Sequence, residues 1–506
     1  MSDPTVMAKK SLQPIDRLAL GAMLLLSLLI GILLLSGDQT APRIRNFSWQ
    51  DKQVGADDTG FIFTFSRPMN HDSVEANLKI DPPIQGKFSW AGRRMSYTPL
   101  LPPPYGTKYQ VQLQGAKDQF PGKQSKGTLM KPFTASFRTR DRAFAYVGTN
   151  GEEQGRLIFY NLTTAKKNAL TPKDLVVSDY RIYPDGTRIL FSASDRKSQE
   201  KGLLDQQLYT VTTGVAFQSP DKPETSPEPL GKIELVLDSK QYQNLKFDLS
   251  GDGKTIVVQR LNRRNPAEYG LWIVQPNAQA KPLNNQPGGD FLITPDSTSV
   301  AIAQGQGVAI LPLTSAAKPL DFLPKFGMVL NFAKDGSAAA MVKFNTDDPN
   351  NPTRSLFLVN NQGTQKELLR TTGSILSCQF TPAKDTLYCL LTQLIKGDEY
   401  QEEPFLAAID LKSAVDGKQA SVKALVVLPN QRDIQMSMSP DGLALLFDQL
   451  GTRPPGATDT LRTSEGQAIA TGLLWLLPLA NATPSNTQVQ LQPEQLLPGF
   501  HPRWVP

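Results

Sequence analysis

Residues 180–191 read YRIYPDGTRILF, an apolar strand, a tight Pro-Asp-Gly turn and a second apolar strand. Asp supplies local hydrogen bonds to such a turn, and Gly supplies the positive φ that it requires. The pattern recurs at positions that begin with Phe247, Phe291, Phe332, Phe380 and Met438. Six copies of one hairpin predict a repeat architecture in which each unit is a small antiparallel sheet.

A third apolar strand follows each hairpin, at residues 208–211, 271–274, 308–311, 356–359, 406–409 and 473–476. The series resembles the TolB-like and WD-like propeller repeat, a W-SPDG-x-x-I-x-F hairpin followed by an L-y-v-x-d strand. The resemblance implies a β-propeller over residues 141–506. It implies no single function, because propellers include hydrolases, lyases and interaction platforms.

The two ends of the repeat region complement each other. Residues 143–147 and 156–160 match the second and third strands of a blade that lacks its first strand, and residues 499–506 (GFHPRWVP) match a first strand. We therefore expect the C-terminal strand to complete the first blade and to close a seven-bladed propeller. Such pairing removes free strand edges. His501 is expected to be a structural residue beside this innermost strand.

Residues 41–140 alternate apolar and polar positions between Pro and Gly breaks, which predicts a small β-sandwich. The segment contains FSRPM at 65–69, WAG at 90–92 and YQVQL at 109–113. These motifs resemble bacterial Ig-like modules of the surface-layer-protein type. The resemblance implies a spacer or adhesion element without catalytic residues, and His71 is expected to be an exposed loop histidine.

An uncharged apolar stretch occupies residues 18–37. As a helix it would be about 30 Å long, the thickness of a bilayer core, so the sequence predicts a single transmembrane helix. A cleaved signal peptide and a buried core helix are the alternatives. Three basic residues precede the helix (Lys9, Lys10 and Arg17) and two follow it (Arg43 and Arg45). This difference favours residues 1–17 as a cytoplasmic tail and the bulk of the chain on the periplasmic, non-cytoplasmic side of a bacterial membrane.

Composition argues against several functions. The chain has 53 basic and 47 acidic residues among 506, and no basic run that would indicate nucleic-acid binding. Two His and two Cys, far apart, provide no metal-binding spacing, so no metal or other cofactor is expected. Motifs for a nucleophile elbow, a zinc protease or a phosphate loop are absent from the sequence. No catalytic residue is therefore assigned.

Long insertions fall mainly on one side of the predicted propeller. In a four-stranded blade, the second-to-third connection emerges on the same face as the connection between blades, and most long segments are of these kinds. One-sided enlargement favours a binding face, with solvated loops as the alternative. The candidate binding residues form a basic-aromatic group (Arg260, Arg263, Arg264, Tyr269) and an acidic group (Asp398, Glu399, Tyr400, Glu402, Glu403).

Cys378 and Cys389 flank the turn of one hairpin, in SCQFTPAKDTLYC. A symmetric register would place them opposite each other, within reach of a disulfide, with two packed thiols as the alternative.

Together these features predict a non-enzymatic, single-pass membrane protein whose propeller face binds a protein or peptide partner in a bacterial envelope assembly. Opposed charge patches suit such a partner better than a uniform polyanion. The alternative is an envelope hydrolase or glycan-active enzyme on the same face, for which acidic pairs such as Asp347-Asp348 would be needed. The oligomeric state and any small ligand of the central channel stay open.

Overall fold

The computed structural model describes residues 14–36, 40–119, 127–200, 205–216, 227–276, 278–283, 288–305, 307–313, 320–348, 351–395, 401–414, 419–429, 431, 433–456, 459–463, 466–479 and 491–506. Over these residues the chain is all-β apart from an N-terminal helix and three short helical segments. The described strands form nine four-stranded sheets, of which two belong to a sandwich and seven follow it.

The N-terminal helix, α1, spans Pro14–Ser36 and covers nearly the whole uncharged stretch. Its apolar side chains from Leu18 to Ile30 are exposed, Leu18 to 77% and Leu24 to 69%. A Cβ added at Gly21 or Gly31 would meet no atom within 4 Å. None of the helices in the described part of the chain has both the length and the hydropathy of a membrane span.

The sandwich follows, with strands between Ile44 and Thr139. Its elements are β1 (Ile44–Phe47), β2 (Gln53–Val54), β3 (Phe61–Phe65), α2 (His71–Asn77), β4 (Leu78–Asp81), β5 (Gly86–Ala91), β6 (Arg94–Pro99), β7 (Lys108–Leu113) and β8 (Phe133–Thr139). One sheet has the order β1-β3-β6-β5 and the other β2-β8-β7-β4, with β2 and β8 parallel. This is the strand order of an Ig-type sandwich.

The burial of side chains alternates along β3, which shows which side of the strand faces the opposite sheet. Phe61, Phe63 and Phe65 are fully buried while the residues between them are half-buried, because successive side chains of a strand point to opposite faces. Their rings join Trp49 and Phe137 in one aromatic core. The sandwich thus has a hydrophobic core of its own.

His71 differs from its expected place in a loop. It begins α2, whose N-cap Asn70 accepts a hydrogen bond from the Ser73 backbone N–H at 2.8 Å. The His71 ring stacks on Trp90 with ring centroids 4.1 Å apart. The residue is exposed and packs on the surface of the sandwich.

The other seven sheets are the blades that the repeats predict. Blade 1 contains β9 (Ala143–Val147), β10 (Leu157–Asn161), β11 (Lys166–Ala169) and, from the end of the chain, β36 (Phe500–Trp504), with a 3-10 turn at Gly151–Glu153. Blade 2 contains β12 (Leu175–Ile182), β13 (Arg188–Asp195), β14 (Gln207–Thr212) and β15 (Ile233–Leu237), with α3 (Arg196–Glu200) after β13. Blade 3 contains β16 (Tyr242–Leu249), β17 (Ile256–Asn262), β18 (Tyr269–Val274) and β19 (Lys281–Pro282).

The remaining blades follow in chain order. Blade 4 contains β20 (Phe291–Ile293), β21 (Ser299–Gln304), β22 (Gly307–Pro312) and β23 (Leu320–Leu323). Blade 5 contains β24 (Met328–Phe332), β25 (Ala338–Asn345), β26 (Thr353–Asn360) and β27 (Gln365–Thr371). Blade 6 contains β28 (Ile375–Phe380), β29 (Thr386–Ile395), β30 (Gln401–Asp410) and β31 (Ser421–Val427). Blade 7 contains β32 (Met436–Met438), β33 (Ala444–Arg453), β34 (Ala468–Pro478) and β35 (Glu494–Pro498).

The recurring turn has the chemistry that the sequence predicts. In blade 2, Asp185 Oδ1 accepts hydrogen bonds from the Thr187 N–H at 3.0 Å and from its hydroxyl at 2.9 Å, and Gly186 has φ +72°. In blades 4 and 6 the same position is occupied by Ser297 and Lys384, at φ +62° and +54°. The turn is therefore retained even where its glycine is replaced.

The C-terminal strand β36 pairs with β9, Phe500 opposite Val147 and Trp504 opposite Phe144. This pairing is the one that the two ends of the repeat region predict. Apolar clusters fill the space between each blade and the next, and a further cluster joins blade 7 to blade 1 through residues that include Leu446, Leu474 and Phe144.

The two faces of the propeller are defined by their connections. The turn face carries the tight turns between the first two strands of blades 2 to 7, and the loop face carries the second-to-third connections and the links between blades. The sandwich contacts the turn face. Asp441 of the blade 7 turn accepts a hydrogen bond from the Tyr105 N–H at 3.0 Å, and Asp57 pairs with Lys334 of the blade 5 turn at 2.5 Å.

Candidate functional site

The loop face has strand pairs that extend beyond the innermost strand of their blade. In blade 6, β29 and β30 remain paired out to Ile395 and Gln401. The innermost strand β28 begins at Ile375, opposite Leu391, so β29 extends four residues beyond it. In blade 5, β25 and β26 extend past β24 to Asn345 and Thr353. These two hairpins project from the face on which the sequence predicts binding.

Two acidic candidates lie on the blade 6 hairpin. The Glu402 carboxylate accepts a hydrogen bond from the Thr392 hydroxyl at 2.6 Å and lies 3.9 Å from Nη1 of Arg354 in blade 5. Glu403 accepts a hydrogen bond from the Gln393 side-chain amide at 2.9 Å. The other acidic-group candidates, Asp398, Glu399 and Tyr400, lie outside the described residues.

Arg260 is not on the exposed patch that the sequence predicts. It is 5% exposed, and its guanidinium lies 4.5 Å from the ring centroid of Tyr242 and 5.0 Å from that of Trp272. Nε donates to the Asn244 side-chain oxygen at 3.1 Å. Arg260 is still within β17, where side chains alternate between the two faces of the sheet, and one of those faces is buried. It therefore holds blade 3 together and cannot meet a partner.

The other members of the basic group lie at the end of the same blade. Arg263 donates from Nε to the Ser239 carbonyl at 2.8 Å and forms an ion pair with Asp205. Arg264 is exposed. Tyr269 is half-buried, with its hydroxyl 3.4 Å from the Gly288 carbonyl. Of the four predicted residues, Arg264 is thus the one whose side chain extends into solvent without a partner among the described residues.

Exposed apolar side chains mark the loop face more clearly than its charges do. They include Phe344 (48% exposed), Leu376 (41%), Leu394 (38%), Ile395 (40%) and Val427 (49%). All five lie at loop-face ends of strands in blades 5 and 6. The sequence does not show their exposure, because an apolar residue in a strand is normally buried. Phe344, Leu394 and Ile395 are exposed where the two hairpins extend beyond the innermost strand, whereas Leu376 and Val427 lie at the ends of β28 and β31.

A second polar group, also missed from the sequence, lies around the axis on which the innermost strands converge, and we call it the channel cluster (Asp179, Arg181, Asp248, Asp448, His501 and Arg503). Asp179 and Arg181 of β12 form a bidentate pair, with both oxygens 2.9 Å from Nη1. Nε of Arg181 donates to Asp248 of β16 at 3.3 Å, and Nη2 of Arg503 of β36 lies 3.6 Å from Asp179. These residues are far apart in sequence and meet because the innermost strands converge on one axis.

The ionisation of this cluster follows from its neighbours. Burial acts to raise the pKa of Asp179, but the charges of Arg181 and Arg503 outweigh it and the pKa is lowered. Burial lowers the pKa of Arg503, and repulsion by Arg181 adds to this. Burial also lowers the pKa of His501. The cluster therefore contains ionised Asp–Arg pairs beside a neutral imidazole.

Asp448 of β33 connects blades 7 and 1. Its two oxygens accept the backbone N–H groups of Gln435 at 2.6 Å and His501 at 2.7 Å. Burial raises the pKa of this carboxyl to about 7. His501 itself has φ +52°, and its buried Nδ1 has no hydrogen-bond partner in the described part of the chain. His501 in β36 thus contributes its backbone N–H to the contact with Asp448, in the structural role that the sequence predicts.

Similar side-chain to backbone bonds join other blades. The amide of Gln379 in β28 donates to the Met436 carbonyl at 2.8 Å and accepts from the Met438 N–H at 2.6 Å. Asp248 accepts the Ile293 N–H of blade 4 at 2.9 Å. The polar groups around the axis are therefore engaged mainly in joining neighbouring blades. No three His, Cys, Asp or Glu side chains converge as metal ligands within the described ranges.

Cys378 and Cys389 occupy directly opposite positions of β28 and β29. The structure joins them by a disulfide, in the buried core between blades 5 and 6. Of the two alternatives that the sequence leaves open, the structure contains the bond.

Comparison with protein-family models finds no match, and comparison with curated proteins finds none either. Among solved structures, the chain is similar to TolB from Acinetobacter baumannii, with 12% identity, a TM-score of 0.39 and coverage of 85% of this chain and 83% of that one. It is also similar to prolyl oligopeptidase B from Galerina marginata (9%, 0.42, 71% and 52%) and to an oligogalacturonate lyase from Vibrio parahaemolyticus (12%, 0.35, 61% and 93%). All three TM-scores are below 0.5, and the surface-layer resemblance of the sandwich stays a prediction.

Proposed function

We propose that this chain is a non-enzymatic, membrane-anchored binding protein that uses the loop face of a closed seven-bladed propeller to hold a protein partner in a bacterial envelope assembly. The observation that carries the proposal is the contrast between the two faces. The turn face is occupied by the sandwich, whereas the loop face carries projecting hairpins with exposed apolar side chains. Apolar side chains grouped on one face typically indicate an interaction site.

The channel cluster supports binding over catalysis. Its carboxylates and guanidinium groups contact each other or backbone N–H groups, as the Asp179–Arg181 pair and the two bonds to Asp448 show. Groups engaged in this way stabilise the fold and are less available to act on a substrate. The hydrolase alternative would require a nucleophile or a proton-transfer pair outside this network.

The anchor and the compartment belong to the proposal and rest mainly on the sequence. Residues 18–37 are uncharged, and the apolar side chains from Leu18 to Ile30 of α1 are exposed rather than packed in a core. The disulfide in blade 6 suits an oxidising compartment such as the periplasm, since thiols in bacterial cytosol are kept reduced.

Site-specific photo-crosslinking of the full chain in its native membrane tests this function. A photoreactive residue is placed at Arg264 or Asp347 on the loop face, and at Leu235 on the outermost strand of blade 2 as the control. Discrete protein adducts from the loop-face positions alone are expected. Equal adducts from Leu235, or none from the loop face, would contradict the proposal.

A further inference from the structure

The strands of the sandwich run between two ends, and one of these ends contacts the propeller. Asp57, Tyr105 and Arg140 make that contact, and they lie in the connections after β2, β6 and β8. The opposite end carries Thr40, the first residue described after α1. We call it the entry end, and its described residues are 40–45, 66–77, 91–94, 114–119 and 127–132.

Hydrogen bonds to the backbone join the segments of the entry end. The Ser66 N–H donates to the Arg43 carbonyl at 2.8 Å, and the Lys131 N–H donates to the Pro42 carbonyl at 2.8 Å. Nη1 of Arg93 donates to the Ser66 carbonyl at 3.5 Å. Arg43, Arg93 and Lys131 come from three different connections, and these bonds place them on the same end of the sandwich.

Basic side chains outnumber acidic ones at the entry end. Its described residues contain the basic side chains Arg43, Arg45, Arg67, Arg93, Arg94, Lys117 and Lys131 and the acidic side chains Asp72, Glu75 and Asp118. The buried Asp118 is paired with Arg67 at 3.2 Å, and Glu75 accepts a hydrogen bond from the Trp90 indole N–H at 2.8 Å. All the bases except Arg67 and Lys117 are exposed, and these five form no ion pair with a carboxylate of the described residues. The entry end therefore presents uncompensated positive charge.

The covalent chain keeps the entry end close to α1. Three residues, 37–39, separate Ser36 at the end of α1 from Thr40. Even a fully extended chain of this length keeps the Cα atoms of Ser36 and Thr40 within about 15 Å of each other. Because the apolar side chains from Leu18 to Ile30 are exposed, the medium that covers α1 also lies next to the entry end. For the membrane-anchored protein proposed above, that medium is a lipid bilayer.

We propose that the entry end of the sandwich binds the anionic lipid headgroups of the membrane that holds α1, through Arg43, Arg45, Arg93, Arg94 and Lys131. The proposal rests on the membrane anchor of the proposed function and adds a second contact with the bilayer. Lys and Arg side chains near a membrane attract anionic lipids over about one Debye length, which is about 10 Å at about 0.1 M salt. Since the opposite end of the sandwich contacts the turn face, this docking directs the loop face away from the membrane.

The test measures how close each end of the sandwich lies to lipid headgroups. The full chain is reconstituted into vesicles of phosphatidylcholine, alone or mixed with phosphatidylglycerol, that contain a lipid with a nitroxide quencher on its headgroup. A fluorophore is attached at Leu129→Cys on the entry end or at Leu101→Cys on the opposite end, and both leucines are 56% exposed. Because Cys378 and Cys389 are bonded to each other, the introduced cysteine is the free thiol that reacts.

Quenching of the Leu129 label is expected in vesicles that contain phosphatidylglycerol. It should be lost in phosphatidylcholine alone, and also in about 1 M salt, where the Debye length falls to about 3 Å. The variant Arg93→Glu/Arg94→Glu should lose it as well. The control Lys108→Glu/Arg138→Glu, which reverses two exposed charges directly opposite each other on β7 and β8, should keep it. Thermal unfolding of each variant identifies any loss of fold.

Equal quenching of the Leu129 label in the two kinds of vesicle, no quenching in either, or unchanged quenching in a folded Arg93→Glu/Arg94→Glu variant would overturn the proposal. Quenching of the Leu101 label as strong as that of the Leu129 label would also overturn it. An alkaline wash of the same vesicles tests the anchor separately. A chain that washes off contradicts the membrane anchor and the docking together, whereas a chain that stays without quenching contradicts the docking alone. Photo-crosslinking at the loop face still tests partner binding in either case.

Discussion

Arg260 illustrates how a residue suggested for binding can be required for the fold. An arginine before a polar connection suggests a surface charge, yet its guanidinium lies against both the Tyr242 and the Trp272 ring, which also contact each other. Those rings come from β16 and β18, the strands on either side of β17. Nothing in the local sequence tells which face of β17 a given residue occupies, so this contact was not predictable.

We expect Arg260→Lys to lower the free energy of unfolding by about 1–3 kcal/mol, because an ammonium group cannot stack on two rings and reach Asn244 as a guanidinium does. Urea denaturation measures the change. Arg264→Lys, on the exposed connection of the same blade, is the matched control and should change stability by less than about 0.5 kcal/mol. Equal effects of the two substitutions would contradict the assigned role of Arg260.

Asp448 should make stability depend on pH. Its pKa is raised to about 7 in the folded chain from an ordinary value of 3.8, so the native state binds the proton more tightly than the unfolded state. The stabilisation due to this group is present at low pH and is lost as pH rises through about 7.

Asp448→Asn should remove this component, since asparagine does not titrate. Urea unfolding of both proteins at several pH values between 5 and 8 measures it. The stability of the unchanged chain relative to the variant is expected to decrease as pH rises, and a constant difference would contradict the raised pKa. Asp335→Asn, on an exposed turn, controls for the removal of a carboxylate. Because the pKa of Asp335 is lowered to about 2, its stabilisation is fully present above its ordinary pKa of 3.8 and is lost only in acid, so the stability difference between this variant and the unchanged chain should stay constant between pH 5 and 8.

At the scale of elements, strands and turns were predictable because their determinants are local. The turn at Asp185 and Gly186 depends on side-chain oxygens and backbone angles within a few residues. The pairing of β36 with β9 was predictable because each end of the repeat region lacked the strand that the other supplied. The channel cluster was not predictable from the sequence, because Asp179, Asp248 and Arg503 become neighbours only after several blades assemble.

The Cys378–Cys389 bond connects the first two strands of blade 6. We expect the denatured, unreduced chain to show no thiol that reacts with a thiol reagent, and two after reduction. Reduction should lower the free energy of unfolding by about 2–3 kcal/mol, as for closure of a short loop. Two reactive thiols before reduction would contradict the bond and weaken the periplasmic proposal. A Cys378→Ala/Cys389→Ala variant, whose stability should not respond to reductant, is the control.

At the scale of the whole molecule, the sandwich is more than the spacer that the sequence predicts. Its contacts reach Lys334 in blade 5 on one side and Asp441 in blade 7 on the other. Arg140 at the end of β8 also donates to the Pro506 carbonyl at 2.9 Å, beside blade 1. The sandwich therefore lies across the turn face.

Carbodiimide treatment tests this arrangement, because the reagent couples a carboxylate to an amine that it already contacts. We expect an amide between Asp57 and Lys334, whose charged atoms are 2.5 Å apart, detectable as a cross-linked peptide by mass spectrometry. Asp57→Asn should abolish that peptide and leave the Lys384–Asp335 cross-link between neighbouring blades. Detection of the second cross-link without the first in the unchanged chain would mean that the sandwich does not contact the turn face.

The pairing of β36 with β9 also has a consequence for biosynthesis. A ribosome makes β36 after every other strand of the propeller, so blade 1 has three strands for roughly tens of seconds while the rest of the chain is synthesised. During that interval the inner edge of β9 is open to pairing with another nascent chain. Efficient production should therefore depend on protection of this edge until the last blade is complete, for example by a chaperone.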